Sequence, residues 1–378
     1  MSILIFFAIL FVLVLVHELG HFLVAKKMGM RVDEFGIGFP PKLYGIKKGE
    51  TEYTFNLFPI GGFVKIFGED GLEQNDREVL GHEQQHSKRG SNDRERAFTS
   101  KNPWSQGAVL IAGVTMNVLF AWLLFTIALT IGVQTVINEY DAGANTQLVV
   151  TEVLPGSPAS KAGLNDGIVV TSVAAESGAK LEKLSPSSFG SFVQSHPDEL
   201  ITLTYQKGSD NLVTTIRSKQ GIIDGEPDRA AIGVVLAYVD VVSRPVPTAL
   251  WEGLKLTGTN LKNITAALSK LFFDAVRFKA DLSQVAGPVG IVGLVGQASA
   301  FGITSLLMFT AFISLNLAVI NVLPFPALDG GRLLFVIIES IKGSPIHPRF
   351  VHALNMLGFV LLILLMIAIT YHDIVRII

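Results

Sequence analysis

Two histidines and a glutamate at one spacing point to metal chemistry. His17-Glu18-Leu19-Gly20-His21 follows the H-E-x-x-H pattern. On a helix, residues four apart share a face, so both imidazoles can reach one zinc ion. Glu18 is turned about 100° away from His17 and is poorly placed to be a third ligand. It can reach a water held at the metal, which is the general-base role. The alternative is a pair of histidines satisfied by neighbouring helices. Burying His, Glu and His together in an apolar run is costly without a function.

A third ligand comes from far along the chain. In Asn321-Val322-Leu323-Pro324-Phe325-Pro326-Ala327-Leu328-Asp329-Gly330-Gly331, two prolines stop the preceding helix and two glycines permit a tight turn. The turn presents the Asp329 carboxylate at membrane depth or at its edge. Two histidines and one carboxylate leave a fourth position open, as catalytic zinc requires. Asp329 can also cap a short helix starting near Gly330, alongside ligation or instead of it. A second match, His82-Glu83-Gln84-Gln85-His86, lies in a polar, charge-flanked loop with no apolar helix and no evident third ligand. It reads as coincidence, because an exposed loop gives a metal no supporting shell.

The elements that must position these groups are apolar. Of 378 residues, 49% are hydrophobic and 16% charged, against about 25% charged in ordinary globular chains. The charge deficit is concentrated in four runs long enough to span a bilayer. The expected organisation is a first transmembrane helix carrying H-E-x-x-H (1–31), a region of strands and turns (32–68) and a polar cytoplasmic loop (69–104). A second transmembrane helix (105–138) and a small domain of mixed strands and helices (147–242) follow. An amphipathic and glycine-rich membrane-surface region (248–300), a third transmembrane helix with the Asp329 motif (301–332) and a fourth (349–372) complete it. A helix packed on the small domain is the alternative for 248–273. The first run has no positive residue before Ile3 and no small-residue cleavage site, so it reads as a retained span.

Charge sets the orientation. The loop between the first two runs carries 13 Lys and Arg, and the stretch between the second and third carries the same number over twice the length. The positive-inside rule then makes the first loop cytoplasmic and both termini extracytoplasmic. His17 lies about 20 Å along the first helix at 1.5 Å per residue, near the cytoplasmic end. The third helix runs the same way, so Asp329 falls at the same depth. A net charge of −2 gives no sign of a nucleic-acid partner, and the lack of cysteine excludes disulfides, a thiol nucleophile and Cys-ligated zinc.

The two motifs together resemble the site-2 protease family of intramembrane zinc metalloproteases, in particular the bacterial branch of the regulator of sigma-E protease. The resemblance covers nearly the whole chain, including the run from Gly61 to Lys65, that from Gly287 to Ile291 and that from Asn321 to Arg332. It implies an α-helical polytopic membrane protein with about four transmembrane helices, a membrane-associated β-hairpin region and one inserted α+β PDZ-like domain. It further implies one Zn2+ on His17, His21 and Asp329, Glu18 as catalytic base, and Asn316 and Asn321 near the substrate. The insert has Gly156 to Leu164 in common with PDZ domains, whereas Asn165-Asp166-Gly167-Ile168 departs from their usual Gly-Asp-hydrophobic continuation. The activity implied is hydrolysis of peptide bonds within single-span membrane proteins, of the anti-sigma-factor or remnant-signal-peptide type. The partners are such a substrate, the lipid bilayer and a peptide C-terminus at the PDZ-like domain. The rival readings are a non-catalytic PDZ-containing scaffold, which has no need of all four polar residues, and a zinc transporter. A transporter calls for further ionisable groups in the other spans, and the second has none.

Overall fold

The structure, a computed structural model, describes residues 1–69, 93–141, 143, 146–207, 210–222, 225–277, 279 and 286–377. Most of the polar loop, with His82 and His86, lies outside these residues. Four helices are long and apolar enough to cross a membrane: α1 (Ser2–Lys27), α2 (Pro103–Ile131), α7 (Ile303–Val322) and α9 (Pro348–Ile377). The chain is a polytopic membrane protein with two compact units. One contains residues 1–126, 250–295 and 308–378, and the other 127–249 and 296–307.

In the first unit, α1 ends with Lys26 and Lys27 in its last turn, where cations complement the helix dipole. Gly29, at φ 68°, then turns the chain. Two long strands follow, β1 (Val32–Lys48) and β2 (Thr51–Ile66). The first half of β1 is paired on both sides. Val32–Ile37 meets Ile66–Gly62 along one edge, and Glu34–Ile37 meets Glu52–Phe55 along the other, while Lys48–Lys42 closes the tip against Thr51–Asn56. Two bent strands thus build a sheet four segments wide. Its buried polar groups are satisfied internally: Thr51 Oγ1 donates to the Val32 carbonyl (2.7 Å) and Asn56 Nδ2 to that of Gly38 (3.0 Å). The sheet exposes Phe39, Leu43, Tyr44, Ile46, Phe55, Leu57 and Phe58.

The tip is tied back to the spans. Glu50 accepts two hydrogen bonds from Arg96, each 2.7 Å, and one from Lys26 at 2.6 Å. The Arg96 guanidinium, and then Lys26, hold the Glu50 carboxyl down at about 2. A cluster of Ala25, Met30, Val32, Ile66, Phe98, Val109, Leu110 and Val336 joins the end of α1, the base of the sheet, the start of α2 and α8 (Asp329–Lys342).

One boundary differs from that expected from the sequence. The second apolar run leaves the helix at Ile131, because Gly132 takes φ 121°, a region open to glycine. Residues 133–137, expected inside the span, form the edge strand β3 (Val133–Ile137), which suits their β-branched composition. The third span ends at Val322, just before the two prolines, and Asp329 opens the short helix α8.

The second unit is built on an antiparallel sheet ordered β3-β8-β4-β5-β6-β7. Its strands are β4 (Gln147–Val153), β5 (Val169–Ala175), β6 (Leu200–Lys207), β7 (Asp210–Arg217) and β8 (Val234–Val242). Two short helices, α3 (Pro158–Lys161) and α4 (Pro186–Gln194), are capped by Ser157 and Ser185. The core includes Leu148, Val150, Val173, Phe189, Ile201 and Tyr238.

The amphipathic stretch expected over 248–273 forms α5 (Val246–Val276). From Leu250 onward it belongs to the unit of the spans, and Trp122 of α2 donates to the Leu250 carbonyl at 3.0 Å. The glycine-rich run opens α6 (Pro288–Ala300). The amides of Gly287 and Gly290 donate to the buried Asp373 carboxylate of α9 at 3.2 and 2.8 Å. A side chain at Gly287 would meet Asp373 Oδ2 at 2.7 Å, so close approach explains that glycine.

Candidate metal centre and active site

His17 and His21 lie one turn apart on the buried side of α1. They are reached by α2, whose Gly113 faces both rings: a Cβ there would stand 2.8 Å from His17 Cε1. Gly20 makes the reciprocal approach, with a Cβ 2.5 Å from the Ala112 carbonyl oxygen. This contact between small residues seats the imidazoles against α2.

Asp329 arrives from the end of α7. Ala327 in the preceding turn holds φ 74°, a strained region for a residue with a side chain. Its amide donates to Asn355 Oδ1 of α9 at 3.2 Å. Side chains at Gly330 or Gly331 would collide with the backbone of Val322, Leu323 and Phe325, so both glycines are needed to fold α8 back onto α7. Arg332 forms an ion pair with Glu69 at the exit of the sheet.

The result is a triangle of ligand atoms. Asp329 Oδ2 lies 3.0 Å from His17 Nε2 and 3.3 Å from His21 Nε2, and the two nitrogens are 3.1 Å apart. Ligands bound tetrahedrally at about 2.0 Å stand about 3.3 Å from one another. The hydrogen-bonding chemistry also fits a cation. His21 Nδ1 is 2.8 Å from the Val109 carbonyl oxygen, which can only accept, so Nδ1 carries the proton and Nε2 offers its lone pair. The Asn117 side-chain amide lies 3.2 Å from His17 Nδ1, and its oxygen is buried with no partner. Turning that amide over lets the oxygen accept the His17 Nδ1 proton. Both Nε2 lone pairs then converge on the Asp329 Oδ2 atom, itself without a hydrogen-bond partner. Three electron-rich atoms at these distances repel unless a proton or a metal cation lies among them. Among the described residues this is the one group of three such side chains with converging ligand atoms.

The other predicted residues take different positions. Glu18 follows His17 directly on α1. It borders the sheet edge, where a Cβ on Gly62 would stand 3.6 Å from Glu18 Cγ. Asn321 Nδ2 is 3.4 Å from His17 Nε2, beside the triangle of candidate ligand atoms. Asn316 is turned away into its own helix, where Nδ2 donates to the Phe312 carbonyl at 2.9 Å. Asn117 was not anticipated from sequence. It is an amide four residues after Gly113 in an uncharged span, and a polar side chain in such a span is the signal that could have marked it.

Residues 5–365 match Peptidase family M50. A Clostridium perfringens protein named as a zinc metalloprotease is 34% identical over 96% of this chain and 95% of its own length. The regulator of sigma-W protease RasP of Bacillus subtilis is 31% identical over 96% of each chain. The zinc metalloprotease RasP of Geobacillus kaustophilus is 30% identical over 99% of this chain and 97% of its own. With a zinc-shaped ligand triangle on H-E-x-x-H and a distant aspartate, the chain belongs to peptidase family M50, the site-2 proteases, and is a membrane zinc metalloprotease.

Proposed function

We propose that this protein hydrolyses peptide bonds within transmembrane segments of single-span membrane proteins. The observation that carries this reading is the position of the ligand triangle, between the spans α1 and α2 and the end of α7, beside the edge of an apolar-faced sheet. Zinc bound by His17, His21 and Asp329 supplies a Lewis acid for the scissile carbonyl and a lowered pKa for an attacking water.

The chain's own groups do the rest. Val109 and Asn117 hold the imidazoles with Nε2 toward the metal. Glu18 takes the proton from the attacking water and returns it to the leaving amide nitrogen. Asn321 donates its amide N–H to the carbonyl oxygen as charge develops there. A helical substrate protects its peptide bonds with its own hydrogen bonds, so it must be unwound first. The segment Gly61–Ile66 pairs with β1 along one side only among the described residues. Its other edge can accept the unwound substrate by strand addition. The exposed aromatic and aliphatic side chains of this sheet suit a membrane-associated position. Asn316, five residues before Asn321, would contact the substrate further along α7.

The orientation follows the charge bias: the metal centre near the cytoplasmic side and both termini outside. The sheet domain is then extracytoplasmic. Its PDZ-like character, supported by the turn and short helix at Gly156 to Leu164, makes it a filter or reader of substrate ends. Substrates already shortened outside, such as anti-sigma factors or remnant signal peptides, fit this arrangement, and RasP of Bacillus subtilis is named as a regulator of sigma-W.

The test is cleavage of a purified single-span anti-sigma factor, trimmed outside, in proteoliposomes holding the parent or Glu18→Gln. Cleavage inside the span by the parent alone supports the proposal. Cleavage by both, or only in the soluble part of the substrate, contradicts it.

A further inference from the structure

The helix that begins with Asp329 has two faces. Leu333 and Val336 pack inward on the cluster of Ala25, Met30, Val32, Val109 and Leu110. Leu334, Ile337, Ile338 and Ile341 recur at helical spacing on another face and are all exposed, Ile341 to 83%. None of the four charged residues of α8 lies in this stripe.

The connections decide what covers it. Six residues, Leu323–Leu328, separate α8 from α7, and five, Gly343–His347, separate it from α9. Both neighbours are long and apolar enough to span a membrane. At 14 residues, α8 is about 21 Å long and too short to span itself. Both its ends are therefore tethered at one face of the bilayer. The tethers are taut: Gly330 and Gly331 abut the end of α7, and Glu339 Oε1 accepts the Ile346 amide at 2.7 Å in the second connection.

We propose that α8 is an interfacial helix, its stripe covered by acyl chains of the leaflet where α7 ends, so that the bilayer itself holds the helix that starts with Asp329. Lys342, at its end, reaches toward the headgroups. The metal ligand thus sits on a helix clamped between protein and lipid, and the zinc site is coupled to the leaflet. This rests on the membrane-spanning nature of the four helices and not on proteolysis.

The absence of cysteine allows single spin labels without background. Ile337→Cys, Ile338→Cys, Ile341→Cys and Ser340→Cys would be labelled in full-length protein in phosphatidylcholine/phosphatidylglycerol nanodiscs. Zinc content would verify that each variant is folded. Collision with oxygen should exceed that with a water-soluble nickel chelate at 337, 338 and 341, and the order should reverse at 340. Nickel-dominated collision at all four positions would overturn the lipid contact. For the coupling, the pair Ile338→Glu/Ile341→Glu should lose zinc to a chelator about tenfold faster in nanodiscs, with Ser340→Glu unchanged. Unchanged zinc loss in the pair would overturn the coupling.

Discussion

The side-chain amide of Asn117 and Nδ1 of His17 meet 3.2 Å apart in a fully buried position, joining the second span to the metal site. A group that fixes the tautomer of a ligating histidine contributes about 10–100-fold in metal affinity. Asn117→Leu should weaken zinc binding by that factor in chelator competition. Asn117→Asp, which still accepts the Nδ1 proton, should retain it. Equal affinity in Asn117→Leu and the parent would remove Asn117 from the site.

Gly113 should tolerate no side chain. A methyl group there would push on both imidazoles, so Gly113→Ala should reduce zinc stoichiometry while helical content by circular dichroism stays unchanged. Gly107→Ala, on the same helix with a nearest contact of 3.5 Å to a flexible Leu333 carbon, is the control and should bind zinc normally.

The two asparagines of α7 should separate in their effects. Asn321, 3.4 Å from His17 Nε2, should lower kcat by about 100-fold when changed to Leu, the loss seen on removing one oxyanion donor, with zinc kept. Asn316→Leu should alter KM more than kcat, since Asn316 lies away from the ligand triangle.

Stability should respond to acid through Glu50. Its carboxyl titrates at about 2 when folded, against 4.5 for a free glutamate. The lowered value means that its contribution is complete above about 4.5 and is lost as pH falls toward 2. Its side chain is 30% exposed, so screening reduces the nominal value to about 1 kcal/mol. Glu50→Gln should therefore unfold at lower temperature than the parent at pH 7, and the difference should shrink by more than half at pH 3. A difference independent of pH would assign the loss to packing.

Much of the site was legible because its chemistry is local in sequence. H-E-x-x-H sets both imidazoles by helical period, and the prolines and glycines around Asp329 stop one helix and start the next. Asn117 and Gly113 were not legible, because only the α1–α2 contact gives them a role. The doubled pairing of β1 was hidden for a related reason, since nothing local tells a two-stranded hairpin from a chain folded across itself. Hydropathy placed residues 133–137 in the second span because Val and Ile serve a membrane helix and a strand equally. Gly132 was the available sign of the break. The role of Asp373 was hidden as well, because it caps α6 from a position 83 residues beyond Gly290.

The most direct test is zinc content by elemental analysis of the purified protein in detergent, for the parent, His17→Ala, Asp329→Ala, Glu18→Gln and the pair His82→Ala/His86→Ala. One zinc per chain is expected in the parent, in Glu18→Gln and in the loop pair, with loss in His17→Ala and Asp329→Ala. Zinc that persists without His17 and Asp329 but disappears with the loop histidines would contradict the assignment of the metal centre.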